Sequence, residues 1–239
     1  MTTAGAPGTC LVAGAAGGLG KAIAVRFVDD GWTVLGWDVA PIDDARVAGS
    51  LVDITDWDAV AAAGASLPPL DAVINSCGVA SRTPASDLGP AELDHVIRVN
   101  LVAAFALSRS VFPALQASGG TLVHLASVGG HLGFRERLAY DTSKAGLLAM
   151  VRHLGIEWAP QGVRVISVSP GFVRTGMAER GIAEGRTSLE TVVQHTPQGR
   201  LVEPREVADA VIALVGPAFA GMTGSDLLVD GGFAALGGF

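Results

Sequence analysis

Tyrosine and lysine are nearly absent from this chain. Its 239 residues hold one tyrosine, Tyr140, and two lysines, Lys21 and Lys144, among sixteen basic residues. Cysteine is as scarce: Cys10 and Cys77 are too few and too far apart for a zinc cluster or a disulfide framework, so no metal centre is expected. Both read as small buried residues of strands or strand ends, which suits a reducing cytoplasm. Charged residues make up only 16% of the chain, and the balance is acidic, with a formal charge of −7. That leaves no basic face for nucleic acid or for a membrane surface. Long apolar runs are missing as well. The stretch 210–222 is broken by Gly216-Pro217 and is too short to cross a bilayer. No basic segment precedes the apolar residues 10–20, as a signal peptide would require.

What is present is an apolar chain, 49% hydrophobic, with 32 glycines scattered rather than periodic. Short apolar runs at 9–13, 32–37, 71–76, 121–126, 163–168 and 226–229 read as buried strands, with a shorter one at 50–53. Segments with helical spacing lie between them, at 21–30, 55–66, 91–117, 138–158 and 204–215, and a break is expected near Asn100. Residues 177–197 show no clean period and read as an irregular or partly helical insertion. Nearly all-apolar strands alternating with helices specify a parallel sheet covered on both faces, in one α/β domain of about seven strands.

Two stretches carry chemistry. The first is Gly14-Ala-Ala-Gly17-Gly18-Leu19-Gly20, set between a buried strand and a helix. Glycines there let the backbone turn tightly and bring helix-terminal N–H groups against a pyrophosphate. Asp38 closes the next strand; its carboxylate can accept hydrogen bonds from both ribose hydroxyls of an adenosine and repels a 2′-phosphate. With no Arg or Lys at 15–20 or directly after Asp38, NAD is favoured over NADP. The second stretch is Tyr140-Asp-Thr-Ser-Lys144. On a helix, residues four apart share a face, so a phenol and an ammonium project side by side, and the cation favours the phenolate. Taken alone, such a pair is more often an accident of an exposed helix.

These stretches, with others in order, resemble the short-chain dehydrogenase/reductase family almost end to end. The family's T-G-x-x-x-G-x-G matches Ala13 to Gly20, its adenine-contacting D-[VI] matches Asp53-Ile54, and its N-N-A-G matches Asn75-Ser76-Cys77-Gly78. Asn100 matches the mid-helix asparagine, and Ser127 lies thirteen residues before Tyr140, the family's usual interval. The segment P-G-x-V-x-T matches Pro170-Gly171-Phe172-Val173-Arg174-Thr175. Ala13, Ser76-Cys77 and Ile166 depart from the family pattern, at positions that carry no chemistry.

The resemblance implies a Rossmann-type doubly wound sheet and hydride exchange between a secondary alcohol or ketone carbon and nicotinamide. Tyr140 would be the acid/base, Lys144 would favour its phenolate and hold the nicotinamide ribose, and Ser127 would hydrogen-bond the substrate oxygen. Asn100 would hold a water connecting Lys144 to solvent, while Thr175 and the backbone near Val173 hold the carboxamide. The family also implies a homo-tetramer (or dimer) assembled through the two long helices and the last strand. For the small-molecule substrate, His131, Phe134 and Phe172 are candidate contacts, and one arginine of the 135–137 run could favour an anion. The short 38–53 connection is similar to members that oxidise cyclic dihydrodiols. Two other functions stay open: an NADPH-dependent reductase of a β-keto acyl thioester or other ketone, and a non-catalytic NAD-binding sensor.

Overall fold

The computed structural model describes residues 7–183, 185 and 188–236. Seven parallel strands form one sheet in the order β3-β2-β1-β4-β5-β6-β7. They are β1 (Thr9–Ala13), β2 (Thr33–Asp38), β3 (Val47–Leu51), β4 (Ala72–Asn75), β5 (Thr121–Leu125), β6 (Arg164–Pro170) and β7 (Ser225–Val229). The helices are α1 (Gly18–Asp29), α2 (Trp57–Ala65), α3 (Pro90–Ile97), α4 (Ala103–Ser118), α5 (Leu138–Trp158), α6 (Gly176–Ala183), α7 (Leu189–Gln194) and α8 (Pro204–Val215).

Side chains alternate across each strand, so the sheet feeds two cores. Cys10, Val12, Ile74, Val123, Ile166 and Val168 point to one face, where Ile23 and Phe27 of α1 and Val207 and Val211 of α8 cover them. Leu11, Val73, Leu122 and Val165 point to the other, under Leu107 and Val111 of α4 and Val151 and Trp158 of α5. Burying a side chain such as Phe27 stabilises the fold by about 3 kcal/mol. Arg164 reaches across from β6 to satisfy the end of α8: its Nη1 donates to Leu214 O (3.1 Å) and Phe219 O (3.0 Å), and its Nη2 to Val215 O (3.1 Å).

The elements differ from the sequence expectation in two places. The third strand lies at Val47–Leu51, ahead of the 50–53 run, with four of its five residues exposed. It is an edge strand, fixed by pairing of Val34 with Val47 through Asp38 with Leu51, and Ala-Gly-Ser carries no apolar signal. Helix α1 starts at Gly18, inside the glycine turn. The insertion is partly helical, as expected, and contains α6 and α7, while residues 184, 186 and 187 of it lie outside the described residues.

Residues 90–118 are continuous helix, interrupted at Arg98–Val102 by one wide π turn. By length and composition alone this helix could cross a membrane. Its apolar side is used otherwise: Ala103, Leu107, Val111 and Leu115 are buried against the sheet. The strand order turns around at β1 and β4, which opens a crevice at their carboxyl ends, where sheets of this kind bind ligands.

Candidate active site

The turn after β1 opens that crevice. Gly14 has a φ of +83°, and a Cβ there would stand 3.0 Å from the backbone of Ser76 and Cys77; at Gly20 a Cβ would lie 1.9 Å from Gly14 O. These two glycines let α1 and β4 close on the turn. Gly17 and Gly18 are different, with nothing within 4 Å of a Cβ on either. They present bare backbone at the start of α1, whose N-cap, Gly17, has no side-chain cap, and Leu19 anchors that turn on the core. Unsatisfied N–H groups at an open helix start suit a diphosphate. The residues therefore fit a dinucleotide.

Asp38 lies against this turn. Its Oδ2 accepts from Ala16 N (2.9 Å) and its Oδ1 from Ala40 N (3.0 Å). Lys21 is paired with Asp43 at 3.0 Å. Asp53 Oδ1 accepts from Thr55 N (2.8 Å) and Thr55 Oγ1 (2.7 Å), bonds that hold its carboxyl below the usual range. Ile54 is buried with Val52 and Val60, so its side chain braces the Asp53 turn from below.

Asn75 ends β4 as part of a buried network that sequence inspection missed. Its Oδ1 accepts from Cys77 N (3.1 Å) and its Nδ2 meets His124 Nδ1 (3.1 Å). Ser108 Oγ commits its hydrogen to Ala104 O, so His124 Nε2 must be the donor to Ser108 (3.1 Å) and Nδ1 the acceptor from Asn75. His124 is fully buried; burial first, and the charge of Lys144 second, push its pKa down to about 3. A neutral imidazole thus fixes the amide that shapes the turn to Gly78. A Cβ on Gly78 would meet Asn100 Oδ1 at 3.3 Å and Lys144 Nζ at 3.5 Å, which places that glycine over both groups.

Asn100 sits in the π turn and is buried. Its Oδ1 accepts from Val79 N (2.8 Å), and its Nδ2 donates to Val79 O (2.9 Å) and Ser143 Oγ (3.0 Å). Its amide clamps the loop after β4 to α5. Lys144, also buried, donates from Nζ to Leu125 O (2.7 Å) and stands 5.7 Å from the centre of the Tyr140 ring. Ser127, just past β5, accepts from Gly129 N (3.1 Å), which engages a lone pair and leaves its own hydrogen to give away. Tyr140 is half-buried in the first turn of α5. The fold thus brings Asn100 and Lys144 together beside Gly78, with the Tyr140 ring next to Lys144 and Ser127 just past the carboxyl end of β5.

On the far side, Pro170 ends β6, and Gly171 lets the chain pass Asp230, whose Cα a Cβ there would meet at 2.8 Å. Val173 forms a bridge with Val202, and Thr175 N donates to Val173 O (2.8 Å). Phe134 and Phe172 pack edge to face, and both touch Phe233, which the sequence did not single out because it follows a glycine pair near the end of the chain. His131 turns to the sheet, its Nε2 bonded to Asp226 Oδ2 (2.9 Å) and near Ser169 Oγ (3.3 Å). Both thiols are held protonated by burial, Cys77 with a pKa near 12, so neither is a nucleophile.

A family model described as Enoyl-(Acyl carrier protein) reductase matches residues 14–234. The chain is 36% identical to galactitol 2-dehydrogenase (L-tagatose-forming) of Cereibacter sphaeroides, over 95% of each chain. It is 32% identical to the NAD-dependent glycerol dehydrogenase of Listeria innocua, over 93% of this chain and 92% of that one. It spans 43% of the length of a longer relative, an uncharacterized short-chain type dehydrogenase/reductase of Sinorhizobium fredii, at 32% identity. Among solved structures, aldohexose dehydrogenase of Thermoplasma acidophilum superposes with a TM-score of 0.90 at 26% identity, covering 96% of this chain and 94% of that one. With the sheet order, the glycine turn and the serine, tyrosine and lysine assembled as described, these matches establish that the chain belongs to the short-chain dehydrogenase/reductase family, NAD(P)-dependent oxidoreductases that act on secondary alcohols and their ketones.

Proposed function

We propose that this chain oxidises a secondary alcohol of polyol or cyclic character with NAD, and that Tyr140 takes the proton. The observation that carries this reading is Ser127. Its oxygen accepts from Gly129 N, which leaves its hydrogen to hold a substrate oxygen. A Cβ on Gly129 would meet both Ser127 Oγ, at 3.5 Å, and Asp141, the residue after Tyr140. A bound nicotinamide would supply the hydride acceptor. The chain's own residues handle the proton. Tyr140 as phenolate accepts it from the alcohol, Ser127 holds the oxygen as charge shifts, and Lys144, held by Leu125 O, stabilises the phenolate. Asn100 fixes the loop over Lys144 and offers an oxygen to a relay water.

The Asp38 carboxylate at the glycine turn supports NAD, because a 2′-phosphate there would face a like charge. The polyol and sugar dehydrogenases among the relatives support the substrate class. The test is a panel of secondary alcohols, diols and sugar alcohols, each offered with NAD and with NADP, with reduced cofactor as the readout. NAD-linked oxidation of at least one member, lost by about three orders of magnitude or more in Tyr140→Phe with NAD binding retained, is the expected result. Turnover near wild type in Tyr140→Phe would sink it.

A further inference from the structure

Arg135 and Arg137 look alike in the sequence, but the fold separates them. Arg135 is exposed. Arg137 is drawn inward, its guanidinium carbon 4.6 Å from the centre of the Tyr140 ring and 5.5 Å from that of Phe134. The residue before it makes the turn. Glu136 has a φ of +64°, the one non-glycine residue with positive φ among the described residues. Such a backbone persists only where the surroundings hold it. Here Glu136 O accepts from Thr83 N (2.8 Å), and its carboxylate meets Arg82 at 3.5 Å.

Among the described residues, the guanidinium so placed has one ionic partner, Asp141, and no hydrogen bond. Asp141 Oδ1 lies 3.8 Å from Arg137 Nε, beyond hydrogen-bond length, and that oxygen is buried with no hydrogen bond. The other oxygen, Oδ2, is occupied by Phe134 N at 2.9 Å. Burial raises the pKa of the Asp141 carboxyl, and the hydrogen bond from Phe134 N and the charge of Arg137 oppose that rise. The other cation near the ring, Lys144, is held inside by Leu125 O. Arg137 therefore brings a planar fork of N–H donors beside the tyrosine, its central carbon over two aromatic rings. That geometry suits a carboxylate. Next to it, Phe134, Phe172 and Phe233 make one apolar wall, with ring centres 5.2 to 6.1 Å apart.

We infer that Arg137 determines substrate specificity by binding the carboxylate of an acidic substrate whose apolar body lies on the Phe134, Phe172 and Phe233 rings. The inference rests on the reading of Tyr140 as the reacting group, and within the cyclic alcohols of that reading it narrows the substrate to a hydroxy acid with a hydrophobic ring.

The experiment compares benzoate with benzamide, which has the same shape without the charge, by calorimetric titration of the full chain with and without NADH. Wild type is expected to bind benzoate about tenfold or more tighter than benzamide, as one charge-assisted pair provides. Arg137→Gln should bring that ratio to about one, and Arg137→Lys, which keeps the charge but loses the fork, should retain part of it. Equal affinity for the two probes in wild type would overturn the inference, as would a ratio unchanged in Arg137→Gln. So would a clear preference for phenyl phosphate over benzoate. Because Arg137→Lys preserves the cation, its intermediate ratio still decides the matter where the glutamine variant does not fold. Failure of NADH to bind would strike the proposed dehydrogenase instead, leaving the benzoate-to-benzamide ratio of the cofactor-free protein to judge Arg137.

Discussion

At the scale of single residues, the site depends on hydrogen-bond valence. Ser127 can donate because Gly129 N occupies its acceptor side, and Asn75 can shape the Gly78 turn because His124 stays neutral. The second dependence has a measurable consequence. The folded pKa of His124 lies at about 3, well below the ordinary value of 6.5. Between those values the unfolded chain binds a proton that the folded chain refuses, so stability rises with pH there. The His124 contribution is complete above about pH 6.5 and is lost as pH falls toward 3, at up to about 1.4 kcal/mol per unit. In urea titrations across this range, His124→Gln should show a flatter pH profile than wild type, with about 1–2 kcal/mol lower stability near neutral pH. Parallel profiles for the two proteins would show that His124 does not carry this dependence.

At the scale of elements, the cofactor end is built by β1, the glycine turn, α1 and β2 acting together. Asp38 braces Ala16 N in the glycine turn, while the next residue, Val39, is 70% exposed and has room to change. Replacing Asp38 by Ala and Val39 by Arg removes a negative charge and adds a positive one. The ratio of kcat/KM for NADP to that for NAD should rise by about tenfold or more, with about 1 kcal/mol of stability lost with the brace to Ala16. An unmoved ratio would take Asp38 out of cofactor selection.

The elements also show how much was legible. The buried strands were readable because parallel strands covered on both faces must be apolar throughout. The edge strand β3 was not, since four of its residues face solvent and only pairing with β2 defines it. The break at Asn100 was visible as an amide inside an apolar helix. That it is a π turn clamped to Val79 and Ser143 depends on contacts 21 and 43 residues away in sequence.

For the whole molecule, exposed apolar residues remain that the two cores do not use. Ile156 on α5 is 73% exposed, Phe105 on α4 is 40% exposed, and Leu228 on β7 is 42% exposed. These lie on the elements through which the family resemblance implies assembly, and a homo-tetramer is the proposal they support. Light scattering at micromolar concentration should give about four times the chain mass of 24.2 kDa, and Ile156→Glu should lower it. A monomer in wild type would contradict assembly through these faces.

The sequence by itself determined the chemical inventory and its order: a glycine turn between strand and helix, an acid closing the second strand, and a serine, a tyrosine and a lysine at fixed spacing. Those are local facts, because turn geometry and the reach of i to i+4 on a helix depend on near neighbours. Tertiary structure alone decided which of two similar arginines faces Tyr140, that His131 answers to Asp226, and that Phe233 joins Phe134 and Phe172. Each of these follows from segments far apart in the chain meeting at the end of one sheet, where packing rather than spacing sets the partners.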